Sequence, residues 1–272
     1  MPFANNNGIN IHFEVEGDPE APSVVMQHGL QSSLETWRDS GYVAALKNEY
    51  RLILVDARGH GQSDKPHEPE SYRPIDFTRD IVAVLDALGI EKAAYWGYSM
   101  GASIGFHGIA RYTLSRFNCL ILGGMSPYRT EAEKQETAPR YASLKMAAEQ
   151  GMEVYISALE KKDGFKYHPD YRARLLANDP VALFAVIQNM ATWPGADDVL
   201  DKINVPCLIY AGEADPFCSG AKKGAAAISN ARFFSVPGLN HVQTSRASAF
   251  VLPYVEKFLI EVDNSLSKKI ES

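Results

Sequence analysis

The pentapeptide Gly97-Tyr98-Ser99-Met100-Gly101 holds one serine between two glycines. Such a G-x-S-x-G match arises by chance in about one chain in ten of this length, and its ordinary meaning is a serine in a glycine-rich turn. The flanking sequence sharpens it. An apolar run from Ala93 to Trp96 stops at Gly97, and a helix-like pattern of small residues begins at Met100. A serine at the tip of so sharp a strand-to-helix turn takes an unfavourable backbone angle, and the glycines remove side chains that would collide across the corner. The turn raises the hydroxyl above the C-terminal edge of a sheet, with the free N–H of Met100 beside it. The chemistry this suits is nucleophilic attack with an oxyanion donor adjacent.

A neutral serine needs a base, and seven histidines are candidates. His12 lies in a hairpin-like strand and His107 in the helix after Ser99, and both read as packing or surface residues. His67 and His168 sit in polar loops beside prolines and read as solvated. His60 in "ARGHGQSD" reads as a turn residue, and His28 ends a strand before Gly29. His241 stands apart, in the turn-rich "VPGLNHVQ" beyond the last predicted strand, where side chains project over the same sheet edge as Ser99. The imidazole in turn needs an acid to fix its tautomer. Asp215 in "YAGEADPFC" follows the preceding strand; Glu213 is its rival, and a solvated loop acid is the ordinary alternative for either. A second oxyanion donor is expected after an earlier strand, in "MQHGLQSS", from the N–H of Leu30.

Apolar runs of strand length supply the scaffold: 9–15, 23–28, 51–56, 92–97, 118–124, 206–212 and 231–236. Several are apolar on both faces, as in parallel strands covered by helices on each side. Helical periodicity lies between them at 38–50, 76–90, 100–112, 220–229 and 248–262. This alternation predicts an α/β fold, a doubly wound and mostly parallel sheet. From Ser126 to Asn204 the alternation stops and four short helices are expected. Met152, Tyr155, Ile156 and Leu159 share one helix face, as do Leu183, Val186, Ile187 and Met190, and Asp179-Pro180 starts the last helix. The expected division is a core domain of 1–125 and 205–272 with a helical cap inserted at 126–204. Trp37, Met125, Phe184, Ile187, Met190 and Trp193 are candidates for an apolar substrate pocket. Trp193, where the cap rejoins the sheet, is the foremost of them, although helix or sheet packing accounts equally for each.

Composition removes several classes of function. The 272 residues carry a formal charge of -6, and no basic run exceeds a pair of lysines, so no nucleic-acid or anionic-membrane footprint is expected. The N-terminus lacks a charged start followed by an apolar stretch, and no window approaches the ~20 apolar residues of a membrane span. Three cysteines, two of them in apolar runs, suggest a cytoplasmic chain without disulfides. The polar tail "NSLSKKIES" is expected to fray. With no phosphate loop and no H-E-x-x-H or C-x-x-C spacing, neither metal nor organic cofactor is expected.

Together, "QHGL", "DARGHGQSD", "GYSMGAS", "AGEADP" and "GLNHVQ" make the chain resemble the α/β-hydrolase superfamily, specifically its small capped esterase-like members, over about residues 9–262. The chain order serine, aspartate, histidine fits that arrangement and not the two other common triad orders. The resemblance implies Ser99 as nucleophile, His241 as base, Asp215 as acid and Leu30 and Met100 as oxyanion donors. It implies a supporting role for the "DARGHGQSD" loop. Related dehalogenases and epoxide hydrolases carry aspartate where Ser99 stands, which disfavours their chemistry here. The expected substrate is a small or medium carboxylic ester, held by a monomer or homodimer. A lactone, or a carbon–carbon bond in a ring-cleavage product, is an alternative; the latter calls for an arginine such as Arg129, Arg140, Arg172 or Arg174 in the cap. A slow-turnover ligand receptor retaining the triad is the non-enzymatic alternative.

Overall fold

A computed structural model describes residues 2–270. Eight strands form one sheet: β1 (Phe3–Asn6), β2 (Ile9–Glu16), β3 (Ser23–Gln27), β4 (Arg51–Val55), β5 (Ala93–Tyr98), β6 (Phe117–Gly123), β7 (Cys207–Gly212) and β8 (Ala231–Val236). Their order is β1-β2-β4-β3-β5-β6-β7-β8. The β1–β2 and β2–β4 pairs are antiparallel and the rest are parallel. β1 is absent from the sequence expectation. It is short, and its cue is Asn7-Gly8, where both residues take positive φ (50° and 90°) and reverse the chain into β2.

The central strands are apolar on both faces because both faces are covered. In β4, Ile53 and Val55 join one core cluster while Leu52 and Leu54 join the other; in β5, Tyr95 and Trp96 divide the same way. Helix α1 (Glu35–Asp39), α2 (Tyr42–Leu46) and α3 (Pro74–Ala87) follow in the chain. The stretch 38–50, expected as one helix, is broken by Gly41 at φ 81°. α3 ends in a Schellman turn: Gly89 takes φ 67°, and the Ile90 N–H donates to the Leu85 carbonyl at 2.9 Å. α4 (Met100–Ile104) passes through a wide π-type turn at Gly105–Ile109 into α5 (Ala110–Tyr112), where one regular helix was expected.

Between the neighbouring strands β6 and β7 run α6 (Glu131–Gln150), α7 (Met152–Asp163), α8 (Pro169–Leu176) and α9 (Pro180–Met190), then a 3-10 turn at Asp197–Lys202. α6 has 20 residues, so it is not the short helix expected. Asp179 caps α9, accepting the Val181 and Ala182 N–H groups at 2.9 and 3.0 Å. Leu183 and Ile187 of α9 join a cluster with Met152, Tyr155 and Ile156, while Val186 and Met190 join the sheet-side core. α9 is therefore buried on two sides, not along the single face that periodicity suggested. α10 (Cys218–Ala226), α11 (His241–Ser245) and α12 (Ser248–Ile270) complete the chain. α12 runs through most of the tail expected to fray; residues 271–272 lie outside the described residues.

Among the described residues no helix is long and apolar enough to cross a membrane. No group of three or more His, Cys, Asp or Glu among them is placed to hold a metal ion.

Candidate active site

β5 ends at Tyr98 and α4 starts at Met100, so Ser99 alone makes the corner. It takes φ 54° and ψ -109°, a region that stores about 1–3 kcal/mol of strain in a residue other than glycine. The Ser99 N–H is held by the Gly123 carbonyl at 2.8 Å. The two flanking glycines have separate duties. A Cβ on Gly97 would lie 2.4 Å from the Gly101 carbonyl carbon across the corner, and one on Gly101 would lie 2.2 Å from the Gln27 carbonyl oxygen at the end of β3.

His241 arrives from the loop after β8 as the first residue of α11. Asn240 and Gln243 hold that end in a reciprocal cap: the Asn240 side chain accepts the Gln243 N–H at 3.0 Å, and the Gln243 side chain accepts the Asn240 N–H at 3.1 Å. The Tyr98 hydroxyl donates to the His241 carbonyl at 2.6 Å, a support that no sequence signal announced. With its backbone so fixed, His241 Nε2 lies 2.9 Å from Ser99 Oγ, and Nδ1 lies 2.8 Å from Asp215 Oδ2. Asp215 is buried, and its other oxygen accepts the Phe217 N–H at 3.0 Å. A carboxylate at Nδ1 selects the Nδ1–H tautomer and leaves the Nε2 lone pair facing the hydroxyl. Glu213 is exposed and accepts from the Gly238 N–H at 3.2 Å instead. The fold thus gathers Ser99, His241 and Asp215 and leaves Glu213 at the surface.

The turn carrying Leu30 abuts the serine: a Cβ on Gly29 would lie 3.3 Å from Ser99 Cβ. His28 braces that turn from below. The Ala57 N–H donates to its Nε2 at 3.1 Å, so Nδ1 carries the proton and donates to the Gly29 carbonyl at 2.8 Å. Burial lowers its pKa, which suits a neutral strut and not a base. His60, 5.2 Å away between ring centroids, is pushed down to about 3 by burial. His12 is buried against Asp56, which also accepts the Leu34 and Gln62 N–H groups. These contacts are what the "DARGHGQSD" loop does in this fold: it holds the Leu30 turn against the elbow. His107 is buried behind the site, also with its pKa lowered to about 3 by burial, while His67 and His168 are exposed.

Two cavities open onto Ser99. The larger, about 360 Å³, is lined by Leu30, Met100, Met125, Ile187 and Met190 among others, and the smaller, about 160 Å³, by Leu30, Trp37, Leu159 and Tyr171. Leu30 and Met100 both line the larger cavity together with Ser99. Trp37 reaches the smaller cavity but is chiefly a core residue, packed on Tyr42 and Trp96 at 5.5 and 5.2 Å. Phe184 and Trp193 line neither cavity, contrary to expectation. Phe184 packs on Tyr141, and Trp193 is wedged between Phe77 and His107 with its N–H donated to Asn189. Each stands one layer behind a residue that does line the larger cavity, Tyr141 and His107 respectively.

The arginines divide two and two. Arg172 pairs with Glu153 and Glu160, and Arg174 with Asp39 at 2.8 Å. Arg129 and Arg140 line the larger cavity, and no ion pair to either occurs among the described residues. Burial lowers the pKa of Arg129, whose guanidinium donates to the Met190 carbonyl. Lys134 and Glu133 line the same cavity, and the Glu133 carboxylate acts on Arg129, so this wall carries mixed charge with three cations to one carboxylate.

Comparison with known proteins gives a consistent set of likenesses. A family model described as alpha/beta hydrolase fold matches residues 22–146. The 3-oxoadipate enol-lactonase 1 of Acinetobacter baylyi is 30% identical over 222 residues, covering 79% of each chain. A bifunctional esterase/perhydrolase of Acinetobacter calcoaceticus is 26% identical over 258 residues, covering 86% of this chain and 90% of that one. The solved structure of an enol-lactonase from Burkholderia xenovorans LB400 matches with a TM-score of 0.79 at 25% identity, over 95% of this chain and 100% of that one.

Proposed function

The chain belongs to the α/β-hydrolase superfamily and is an enzyme of that fold; from this premise we propose that it cleaves a small or medium carboxylic ester through an acyl-enzyme on Ser99. The observation that carries the reading is the unbroken relay from Ser99 Oγ to His241 Nε2 at 2.9 Å and from His241 Nδ1 to Asp215 Oδ2 at 2.8 Å. His241 Nε2 takes the hydroxyl proton as Ser99 Oγ bonds to the ester carbonyl carbon. The N–H groups of Leu30 and Met100 receive the charge that develops on the carbonyl oxygen. Collapse of the tetrahedral intermediate breaks the carbon–oxygen bond, and the imidazolium returns the proton to the departing alcohol. A water molecule deprotonated by His241 then attacks the acyl carbon and frees the acid and Ser99. Asp215 stays ionised throughout, stabilising the imidazolium. Residues 126–204 act as a cap that roofs both cavities and selects the substrate.

One observation favours a narrower second reading, a lactone or ester that carries a carboxylate. Arg129, Lys134 and Arg140 outnumber the one carboxylate, Glu133, on the wall of the larger cavity, and two of the relatives are named enol-lactonases. In a lactone the steps are the same, except that the alcohol remains tethered to the acyl group.

The test is steady-state hydrolysis of p-nitrophenyl esters from acetate to dodecanoate, by the wild type and Ser99→Ala side by side. Turnover by the wild type with an optimum at a short or medium chain, and a loss of about 10⁶-fold or to the detection limit in the variant, is expected. Comparable rates in both proteins would refute the mechanism. Serine-dependent opening of lactones without turnover of any open-chain ester would move the assignment to the second reading.

A further inference from the structure

The residue after the Leu30 oxyanion donor has an unexplained geometry. Gly29 to Ser32 form a turn closed by the Ser32 N–H donating to the Gly29 carbonyl at 3.3 Å. Its third position, Gln31, takes φ 65°, where glycine or asparagine sits at little cost and glutamine does not. Only three described residues other than glycine have positive φ; the others are Asn7 in its hairpin and Ser99 itself. Strain of this kind persists where the surroundings over-determine it, so the Gln31 side chain is expected to hold something.

It holds the helical insertion. Gln31 Nε2 donates to the Tyr155 hydroxyl on α7, and the Gln31 carbonyl accepts from Asn178 Nδ2, between α8 and α9, at 3.5 Å. Tyr155 is 4% exposed, in the core of the insertion. Leu30 packs against both the sheet-side core and that same insertion core. From the other side, His28 pins the Gly29 carbonyl. The Leu30 N–H is therefore set between a fixed strut on the sheet and a tie to the insertion.

We propose that Gln31 is a positioning residue, which couples the seating of the helical insertion to the aim of the Leu30 N–H at the developing oxyanion. The proposal rests on the serine mechanism given above and adds a consequence: the insertion contributes to the chemical step and not only to substrate choice. A tie that acts on the transition state lowers kcat when cut, whereas one that merely shapes the pocket changes KM.

The experiment compares wild type, Gln31→Gly, Tyr155→Phe and the double variant. Gln31→Gly keeps the turn's backbone geometry and removes the tie; Tyr155→Phe removes the same hydrogen bond from its other end without touching the turn. Each is measured for kcat and KM on the preferred p-nitrophenyl ester, for affinity toward an alkyl trifluoromethyl ketone, whose adduct with Ser99 bears an oxyanion, and for Tm. The expected result is a loss of about tenfold in kcat in each single variant, with KM within about twofold. Ketone affinity should fall by the same factor as kcat/KM, and the double variant should be no worse than the singles. Unchanged kcat and ketone affinity in both singles, or losses that multiply in the double, would overturn the coupling even if Tm falls. A wild type that neither turns over esters in a Ser99-dependent way nor binds the ketone would instead overturn the mechanism beneath it.

Discussion

Two carboxylates separated by a single residue, Glu213 and Asp215, have opposite fates. Asp215 is buried with its oxygens committed to His241 and the Phe217 N–H, whereas Glu213 is exposed and braces the Gly238 turn. Asp215→Asn preserves the shape but donates where it should accept, turning the imidazole to the wrong tautomer; a loss of about 10⁴ in kcat is expected. Glu213→Gln, at the surface, should stay within about twofold of wild type. Parallel kcat measurements on both variants check this, and a severe loss in Glu213→Gln with a mild one in Asp215→Asn would reverse the assignment. The convergence of Ser99, Asp215 and His241 was legible in the sequence because each follows its own apolar run, and parallel strands deliver such residues to one edge. Tyr98 was not readable as the support of the His241 carbonyl, since that contact spans 143 residues and has no spacing rule.

At the scale of elements, both-face apolar runs made the central strands legible, because a parallel strand covered twice leaves no polar face to confuse it with a surface element. β2 and β8, with exposed positions, were marked by run length alone. β1 escaped because FANN has one buried residue in four, although Asn7-Gly8 marked its hairpin. Helix limits were less legible where glycine acts through tertiary geometry: Gly41 splits α1 from α2, and Pro139 lies inside α6 without ending it. Periodicity told which residues of the insertion are buried but not against what. Trp193 and Phe184 are apolar, near the site and mostly or partly buried, yet they support the chamber from behind. Arg129 and Arg140 had no periodic signature at all. Their placement follows from how α6 and the segment before it cross the C-terminal edge of the sheet.

At the scale of the whole molecule, the buried histidines around the elbow tie stability to pH. His28, His60 and His107 are buried with pKa values lowered by burial, to about 3 for His60 and His107. Unfolded histidine takes up its proton near 6.5, so below that pH the unfolded chain binds protons that the native state refuses. The native advantage is complete above 6.5 and is lost progressively as pH falls toward about 3. His60 and His107 each add a slope that approaches about 1.4 kcal/mol per pH unit once the unfolded histidine is protonated. Urea titrations between about pH 6.5 and about pH 5, above the carboxylate range, should show stability falling with pH, and His60→Asn should shallow the slope by about one group's share. An equal slope in wild type and variant would mean that His60 titrates alike in both states.

In the proposed mechanism the elbow and the relay serve one event, transfer of an acyl group to Ser99. The most direct measurement is to mix the protein with a slowly deacylated p-nitrophenyl ester, quench with acid within one turnover, and map the acyl group by peptide mass spectrometry. The expected result is a single acylated peptide containing Ser99, formed as fast as p-nitrophenol is released and absent in Ser99→Ala. Release of p-nitrophenol with no acyl group on Ser99, or with the group on another residue, would contradict the assignment of Ser99 as nucleophile.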